Sequence, residues 1–386
     1  MKGFFNLSHL SAGFTTVLVG YTSSVVIVIQ AATASGANPA QIESWLLTLG
    51  VVMGLTSILY SWFYKTPIVT AWSTPAAVML AASAGQYSLP VVIGAFMFSG
   101  ALFTLTGMLA PLTRALSKIP VPLGTAMLGA ILLPFCAKAF TPLTDTPALF
   151  ALLFTSYLLA KHFVPRYTML VLLLVSLGSA LALGSFQHAD LALRIATPIW
   201  VMPEFDWLAI LNLALPLYLI TMLSQNLPGI AMLKSYQYDA PIKPILVGTG
   251  LATLMSAPFG GFSVNLAAIS AAICMNEDVD QDKAQRYRAV LWAGGFYLLA
   301  GIFAALVVNL FLALPTPISA MLAGLALLGT LMMCLQSAFK IDEHREPALL
   351  TFVITLSGAT LFGMSATLIG LVIGLAYLRL TTRPRP

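Results

Sequence analysis

Apolar residues run along this chain in long stretches, cut at intervals by Pro, Gly or isolated charges. Fourteen stretches result, near 13–34, 40–64, 67–83, 89–110, 121–140, 147–163, 167–185, 208–233, 242–257, 261–275, 289–313, 317–338, 347–361 and 363–380. Most have about 20 residues, the length that takes a helix across a bilayer. The third and tenth are short, as half-helices are. The segment 347–380 reads either as a hairpin of two spans or as one broken span.

Those two short stretches are interrupted in a related way. One reads Thr70-Ala71-Trp72-Ser73-Thr74-Pro75-Ala76-Ala77; the other reads Gly260-Gly261-Phe262-Ser263-Val264-Asn265-Leu266-Ala267. Aligning Trp72 with Phe262 places them 190 residues apart in a chain of 386. Pro120-Val121-Pro122 recurs as Pro315-Thr316-Pro317, and Ala126-Met127-Leu128 as Ala320-Met321-Leu322. The recurrences, in order and at nearly one offset, predict an internal duplication: a first repeat over 1–185, an outer linker over 186–207 and a second repeat over 208–386. Seven spans per repeat is odd, so the second repeat enters the membrane inverted. Paired, Gly/Pro-interrupted segments in such halves point to a transporter's binding site. The linker carries Trp200 and Trp207, which suit the headgroup level.

Composition agrees with a lipid environment. Hydrophobic residues make up 59% and charged residues 8%, with mean hydropathy +0.93, against about 25% charged residues in soluble domains. The predicted fold class is therefore an all-α polytopic membrane protein, with lipid as its first partner. With fourteen spans, all Lys and Arg except Lys138 and Arg194 fall on the side of the two termini. That bias predicts cytoplasmic termini. The N-terminal run is too long for the apolar part of a cleaved signal. The net charge of +5 forms no stripe, so nucleic acid is not an expected partner. Cys136, Cys274 and Cys334 have no metal-like spacing and read as small core residues. His9, His162, His188 and His344 are expected in or near loops. No metal cluster or cofactor motif emerges.

Candidate chemistry gathers at the interruptions. Pro75 lacks an N–H, and a helix starting there exposes backbone donors at membrane depth, an arrangement kept where it lines a cavity. Such a start seats an anion. Ser73 adds a hydroxyl, and Thr74 is the expected N-cap. Gly260-Gly261, Ser263 and Asn265 offer the same in the tenth stretch. The alternative is a proline kink satisfied by neighbours. In the eighth stretch, Gln225 and Asn226 precede Pro228-Gly229; the matching part of the first holds Tyr21-Thr22-Ser23-Ser24. These are either substrate-binding groups or interhelical hydrogen-bonding groups. Glu43 and Lys138 lie near predicted outer ends and are expected to snorkel. The run Glu277, Asp278, Asp280, Asp282 reads as a solvated loop, lacking the glycine and bidentate Glu of a calcium loop. No Asp or Glu sits in the middle of a stretch, which favours a substrate bringing its own carboxylate.

At Thr70–Pro75, Ser224-Gln225-Asn226 with Pro228-Gly229-Ile230, Ala271-Ala272-Ile273-Cys274 and Met321–Leu328, the chain resembles the benzoate:proton symporter family (BenE type) over essentially its whole length. It departs from the family pattern at Ala76, where Gly is expected. The family is similar in fold to nucleobase transporters and sulfate permeases. The resemblance implies a core of spans 1–4 and 8–11, a gate of spans 5–7 and 12–14, and substrate between the half-helices of spans 3 and 10. Where nucleobase carriers place an acidic residue in span 8, this chain has Gln225.

The expected function is import of an aromatic carboxylate, benzoate foremost, with proton symport across a bacterial inner membrane. Trp72 and Phe262 are the expected ring contacts, with Tyr21 close by; Ser73, Thr74, Ser263 and Asn265 are expected to hold the carboxylate, and Gln225 and Asn226 to complete the wall. A homo-oligomer is compatible with this reading. The rivals are a nucleobase or inorganic-anion carrier of the same fold, a channel, and an intramembrane enzyme. No Ser/His or Asp/Asp pair supports the enzyme.

Overall fold

A computed structural model describes residues 6–109, 111, 119–184 and 194–381. Lys2, Arg114, Lys118, His188, Arg383, Arg385 and linker residues 186–193 lie outside the described residues.

Helix α1 spans Leu7–Ala34, started by Asn6, whose side chain accepts from the Ser8 N–H. Helix α2, Pro39–Tyr64, opens on a capping box of Asn38 and Gln41. The chain then runs extended as β1, Thr70–Trp72, and turns into α3, Thr74–Ser83. Helices α4, Leu89–Met108, α5, Val121–Lys138, α6, Pro147–Phe163, and α7, Thr168–Ala182, complete the first half. After the linker come α8, Trp207–Ser235, and α9, Ile242–Ser256. A second extended segment, β2, Val264–Leu266, leads into α10, Ile269–Met275. The rest comprises α11, Tyr287–Ile302, α12, Ala304–Leu312, α13, Thr316–Ala338, α14, Arg345–Ser357, and α15, Ala366–Thr381. Each interrupted stretch is therefore a short helix, as expected of a half-helix, entered from a short strand that was not expected. The segment 347–380 is a hairpin of two helices. The eleventh stretch is two helices bent by 62° at Phe303.

Among the described residues eight helices are long and apolar enough to cross a membrane, or nine if the bent pair counts as one span. Leu55, Leu59, Phe63, Leu152, Met255 and Val372 stay largely exposed on the outside of the bundle, where lipid is the solvent.

The closest helix pairs are α2 with α11 and α9 with α4, and small residues let them approach. A Cβ on Gly50 would fall 2.6 Å from the Gly301 Cα, and one on Gly100 would fall 2.8 Å from the Leu254 nitrogen. Between these pairs the strands β1 and β2 cross and join antiparallel, with Thr70 opposite Leu266, Ala71 opposite Asn265 and Trp72 opposite Val264. Extended backbone inside a bundle needs partners for every N–H and C=O. Pairing the two strands supplies many of them at once.

Helix α8 is regular except for two π turns, 210–214 and 222–226. Each lies just before a proline, Pro216 and Pro228. A proline ring clashes with the carbonyl four residues back, and widening the turn relieves the clash.

The linker from Arg194 onward is an extended strap over the helix ends. Val201 N–H donates to the Pro258 carbonyl at 2.8 Å and Glu204 N–H to the Pro90 carbonyl at 3.0 Å. Glu43, expected to snorkel, is 2% exposed and takes both terminal nitrogens of Arg194. The strap covers it, and burial without that guanidinium would be costly. His9, expected near a loop, is inside α1 and buried, 2.9 Å from Asp280. The acidic loop is correspondingly ordered, with Arg286 donating to the carbonyls of Met275 and Asp280. All three cysteines are free and buried, as their apolar surroundings predicted.

Candidate functional site

The strand crossing is held by side chains from four helices, in two matching sets. The Thr70 N–H donates to Ser57 Oγ of α2 at 2.9 Å, and the Val264 N–H to Thr253 Oγ1 of α9 at 3.0 Å. Trp72 Nε1 donates to Ser24 Oγ of α1 at 2.9 Å, and the Leu266 N–H to Asn226 Oδ1 of α8 at 3.0 Å. Each strand thus opens on a hydroxyl of the helix before it and closes on a polar group of α1 or α8.

This register also corrects the alignment of the two segments. Thr70 and Val264 begin their strands 194 residues apart, and α3 and α10 begin 195 apart. The counterpart of Trp72 is therefore Leu266, not Phe262. Trp72 packs against Tyr21, with ring centroids 5.2 Å apart and the planes tilted by 56°. Phe262 is fully buried against Trp45 and Phe96, at 5.9 and 5.6 Å. The two aromatics expected to share a ligand ring sit in separate clusters.

The N-cap of α3 is Ser73, whose Oγ accepts from the Ala76 N–H at 3.2 Å; Thr74, the expected cap, is the first helical residue. Pro75 in the first turn has no N–H to satisfy, which suits it to that position. Ala76, where the resemblance implies Gly, is completely buried.

Several polar atoms around the crossing are buried with no hydrogen-bond partner among the described residues: Tyr21 Oη, Thr221 Oγ1, Ser263 Oγ and Asn265 Oδ1. Asn265 spends its amide nitrogen on the Ser263 carbonyl at 2.8 Å. Ser263 itself has φ +43°, a left-handed conformation that is uncommon outside glycine and turns the chain into β2. Unsatisfied buried acceptors and hydroxyls are costly, and a ligand that fills them recovers that cost. Thr221 is a group the sequence reading passed over. Its signal was one helical turn of spacing from Gln225, on the stretch already singled out.

Asn226 and Gln225, neighbours in the second π turn, have different jobs. Asn226 is buried and structural: Oδ1 holds β2, and Nδ2 contacts Met222 Sδ at 3.3 Å. Gln225 is only partly buried and makes no side-chain hydrogen bond among the described residues. Replacing Asn226 by Leu should strand the Leu266 N–H and lower stability by about 1–3 kcal/mol. Ser224→Ala removes only a bond back to the carbonyl of Ile220 in the same helix and should be near neutral. Thermal unfolding of the detergent-solubilised variants checks this. Equal midpoints for Asn226→Leu and wild type would remove Asn226 from the crossing's support.

The bundle's centre is a pair of crossed strands, each running into a helix, with unsatisfied polar atoms beside them, and this is an architecture found in membrane transporters. The fold matches the transmembrane domain of a cyanobacterium bicarbonate transporter, BicA, with TM-score 0.62 at 17% identity, covering 98% of this chain and 97% of that one. It also matches the murine anion transporter Slc26a9 in its inward-facing state, with TM-score 0.65 at 12% identity, covering 100% of this chain and 70% of that one. The model of the BenE family, "Benzoate membrane transport protein", matches residues 3–380. The inner membrane protein YdcO of Escherichia coli (strain K12) is 40% identical over 365 residues, 95% of this chain and 93% of its own. The benzoate membrane transport protein of Acinetobacter baylyi is 35% identical over 385 residues, 100% of this chain and 98% of its own. The chain belongs to the BenE family of membrane transport proteins.

Proposed function

We propose that this carrier imports aromatic carboxylates, benzoate foremost, with a proton across the bacterial inner membrane. The observation that carries the reading is the strand crossing, which offers the unpartnered hydroxyls of Tyr21 and Ser263 beside the capped start of α3 and, among the described residues, holds no carboxylate. An anion is the ligand such a site favours. Family membership and the full-length similarity to the Acinetobacter protein support benzoate as the substrate, and the E. coli relative's name supports the inner membrane.

In this reading fourteen spans form two inverted seven-span repeats, 1–185 and 208–386, joined by the linker. The constant order of elements supports it: α5 and α13 begin 195 residues apart, and α6 with α14 and α7 with α15 each 198 apart. So do the paired Ser57/Thr253 and Ser24/Asn226 contacts. Spans 1–4 and 8–11 act as the core, and spans 5–7 and 12–14 as the gate that rocks against it. Both termini are cytoplasmic. The ring lies against Trp72 and Tyr21, with Phe262 stiffening the far side of the crossing. Ser73, Thr74 and Ser263 donate to the carboxylate, Asn265 lines the site through an amide oxygen that can only accept, Gln225 closes the polar wall, and Asn226 fixes β2.

Uptake by proteoliposomes tests the reading. Radiolabelled benzoate should accumulate above equilibrium when the outside is acid, and unlabelled benzoate should compete while uracil and sulfate do not. Competition by uracil or sulfate instead would favour the nucleobase or inorganic-anion reading. Non-saturating flux that never exceeds equilibrium would favour a channel.

A further inference from the structure

A cavity of about 920 Å³ opens between α3, α5, α8, α13, α14 and α15, on the face away from Leu7 and Thr381. Its size is that of small-molecule sites, about 300–1,000 Å³. It is not the strand crossing. It meets the end of α3 at Ala81–Ser83, about 12–15 Å along the helix from Ser73 at 1.5 Å per residue, and Gly85 and Gln86 just beyond.

The lining has one charge, Lys138, and no carboxylate. Lys138 makes no ion pair among the described residues; its ammonium lies 5.7 Å from the Phe135 ring centre. Two long helices begin at the cavity wall. Thr316 and Ser319 belong to the first turn of α13, and Ser365 precedes α15. Their N-terminal ends add partial positive charge. Thr355 is 8% exposed and lines the same space, yet its Oγ1 has no hydrogen-bond partner among the described residues, and neither does Ser365 Oγ. Asn212, by contrast, is fully used, donating to Tyr87 Oη and the Gly363 carbonyl and accepting from the Ser365 N–H.

We propose that this cavity is a second anion site, an outer vestibule in which Lys138, Thr355 and Ser365 capture the carboxylate before it reaches the strand crossing. The proposal rests on the reading of an organic-anion substrate given above. Lys138 is exposed, and a lone cation beside a cavity whose lining has no carboxylate raises the local concentration of anions, an effect that weakens as salt shortens the Debye length from about 30 Å at 0.01 M to about 3 Å at 1 M. The hydroxyls then hold the captured group by hydrogen bonds.

Two measurements test it. In the first, a cysteine placed at Thr316 is modified by anionic and cationic thiosulfonate reagents of equal size. The anionic reagent should react faster, and adding Lys138→Gln should cut the anionic-to-cationic rate ratio about tenfold at low salt. This reads the vestibule without any substrate, and an unchanged ratio overturns the site. In the second, benzoate uptake by Lys138→Gln should show KM raised about tenfold at 0.01 M salt, little change at 1 M and an unaltered maximal rate. Lys138→Arg should restore KM, and Thr355→Val should raise it at both salt concentrations. A salt-independent loss of maximal rate that Arg fails to rescue would make Lys138 structural and sink the proposal. A normal KM for Lys138→Gln beside a shifted labelling ratio would place the vestibule off the substrate's path and also overturn it. Absence of benzoate uptake by the wild type, with the labelling ratio as expected, would instead fault the substrate assignment.

Discussion

Gln225→Glu should nearly abolish benzoate transport at pH 8, whereas Gln225→Ala should only weaken it. Gln225 lies in a π turn of α8, one residue before the asparagine that holds β2, and its amide has no protein partner among the described residues. A carboxylate there would face the substrate's own. At about 4 Å and an effective dielectric of about 20, the repulsion costs roughly 4 kcal/mol, about a thousandfold in affinity. Alanine removes at most a hydrogen bond or two, about 0.5–3 kcal/mol. The sign of the pH effect follows. A glutamate near a second negative charge takes up a proton more readily than in water. Acidifying the medium neutralises it, so the defect of Gln225→Glu should shrink as pH falls, while that of Gln225→Ala should not. Binding measured by equilibrium dialysis at pH 8 and pH 5.5 separates the two. Normal benzoate binding by the glutamate variant at pH 8 would turn Gln225 away from the carboxylate and leave it as a packing residue.

Gly260→Ala should be the most damaging single methyl group beside the strand crossing. Gly260 has φ +93°, where a side chain costs about 1–2 kcal/mol. A Cβ there would fall 1.8 Å from Trp45 Cδ1 and 2.2 Å from its Cγ. The indole cannot retreat, because Phe96 and Phe262 pack on it. Overpacking of this kind adds about 1–3 kcal/mol. Gly85→Ala is the matched control, since its Cβ would meet only the Ala34 carbonyl, at an ordinary 3.5 Å. Fluorescence-detected gel filtration after heating should show Gly260→Ala aggregating well below wild type and Gly85→Ala melting with it. Equal stability of the two variants would mean that Trp45 is free to move and that the aromatic cluster does not anchor the tenth segment.

The amino-acid sequence by itself determined the class of fold, because hydrophobic period and length are local properties. Uninterrupted apolar runs must become helices in lipid, where each backbone group has to find a partner within its own segment. The runs that became α1, α2, α4, α5, α8 and α13 were legible for that reason. So were the breaks at Thr70–Pro75 and Gly260–Ala267, since Pro75 and Gly260 mark backbone that cannot continue a helix. The family resemblance rested on the same residues. What replaces the helix at those breaks was decided only by tertiary structure. Three extended residues at 70–72 are untenable alone and become stable once 264–266 lie antiparallel beside them. Register is likewise a long-range property. An alignment by residue type matched Trp72 to Phe262, whereas the starts of the two strands make Leu266 the counterpart of Trp72 and the pairing sets Trp72 opposite Val264, with Phe262 left to the Trp45 cluster. Burial of Glu43 followed from a partner at Arg194, 151 residues away, which no local pattern encodes. The split between Asn226 as support and Gln225 as a free amide came from the π turn of α8. That turn aims one side chain at β2 and leaves its neighbour unpaired.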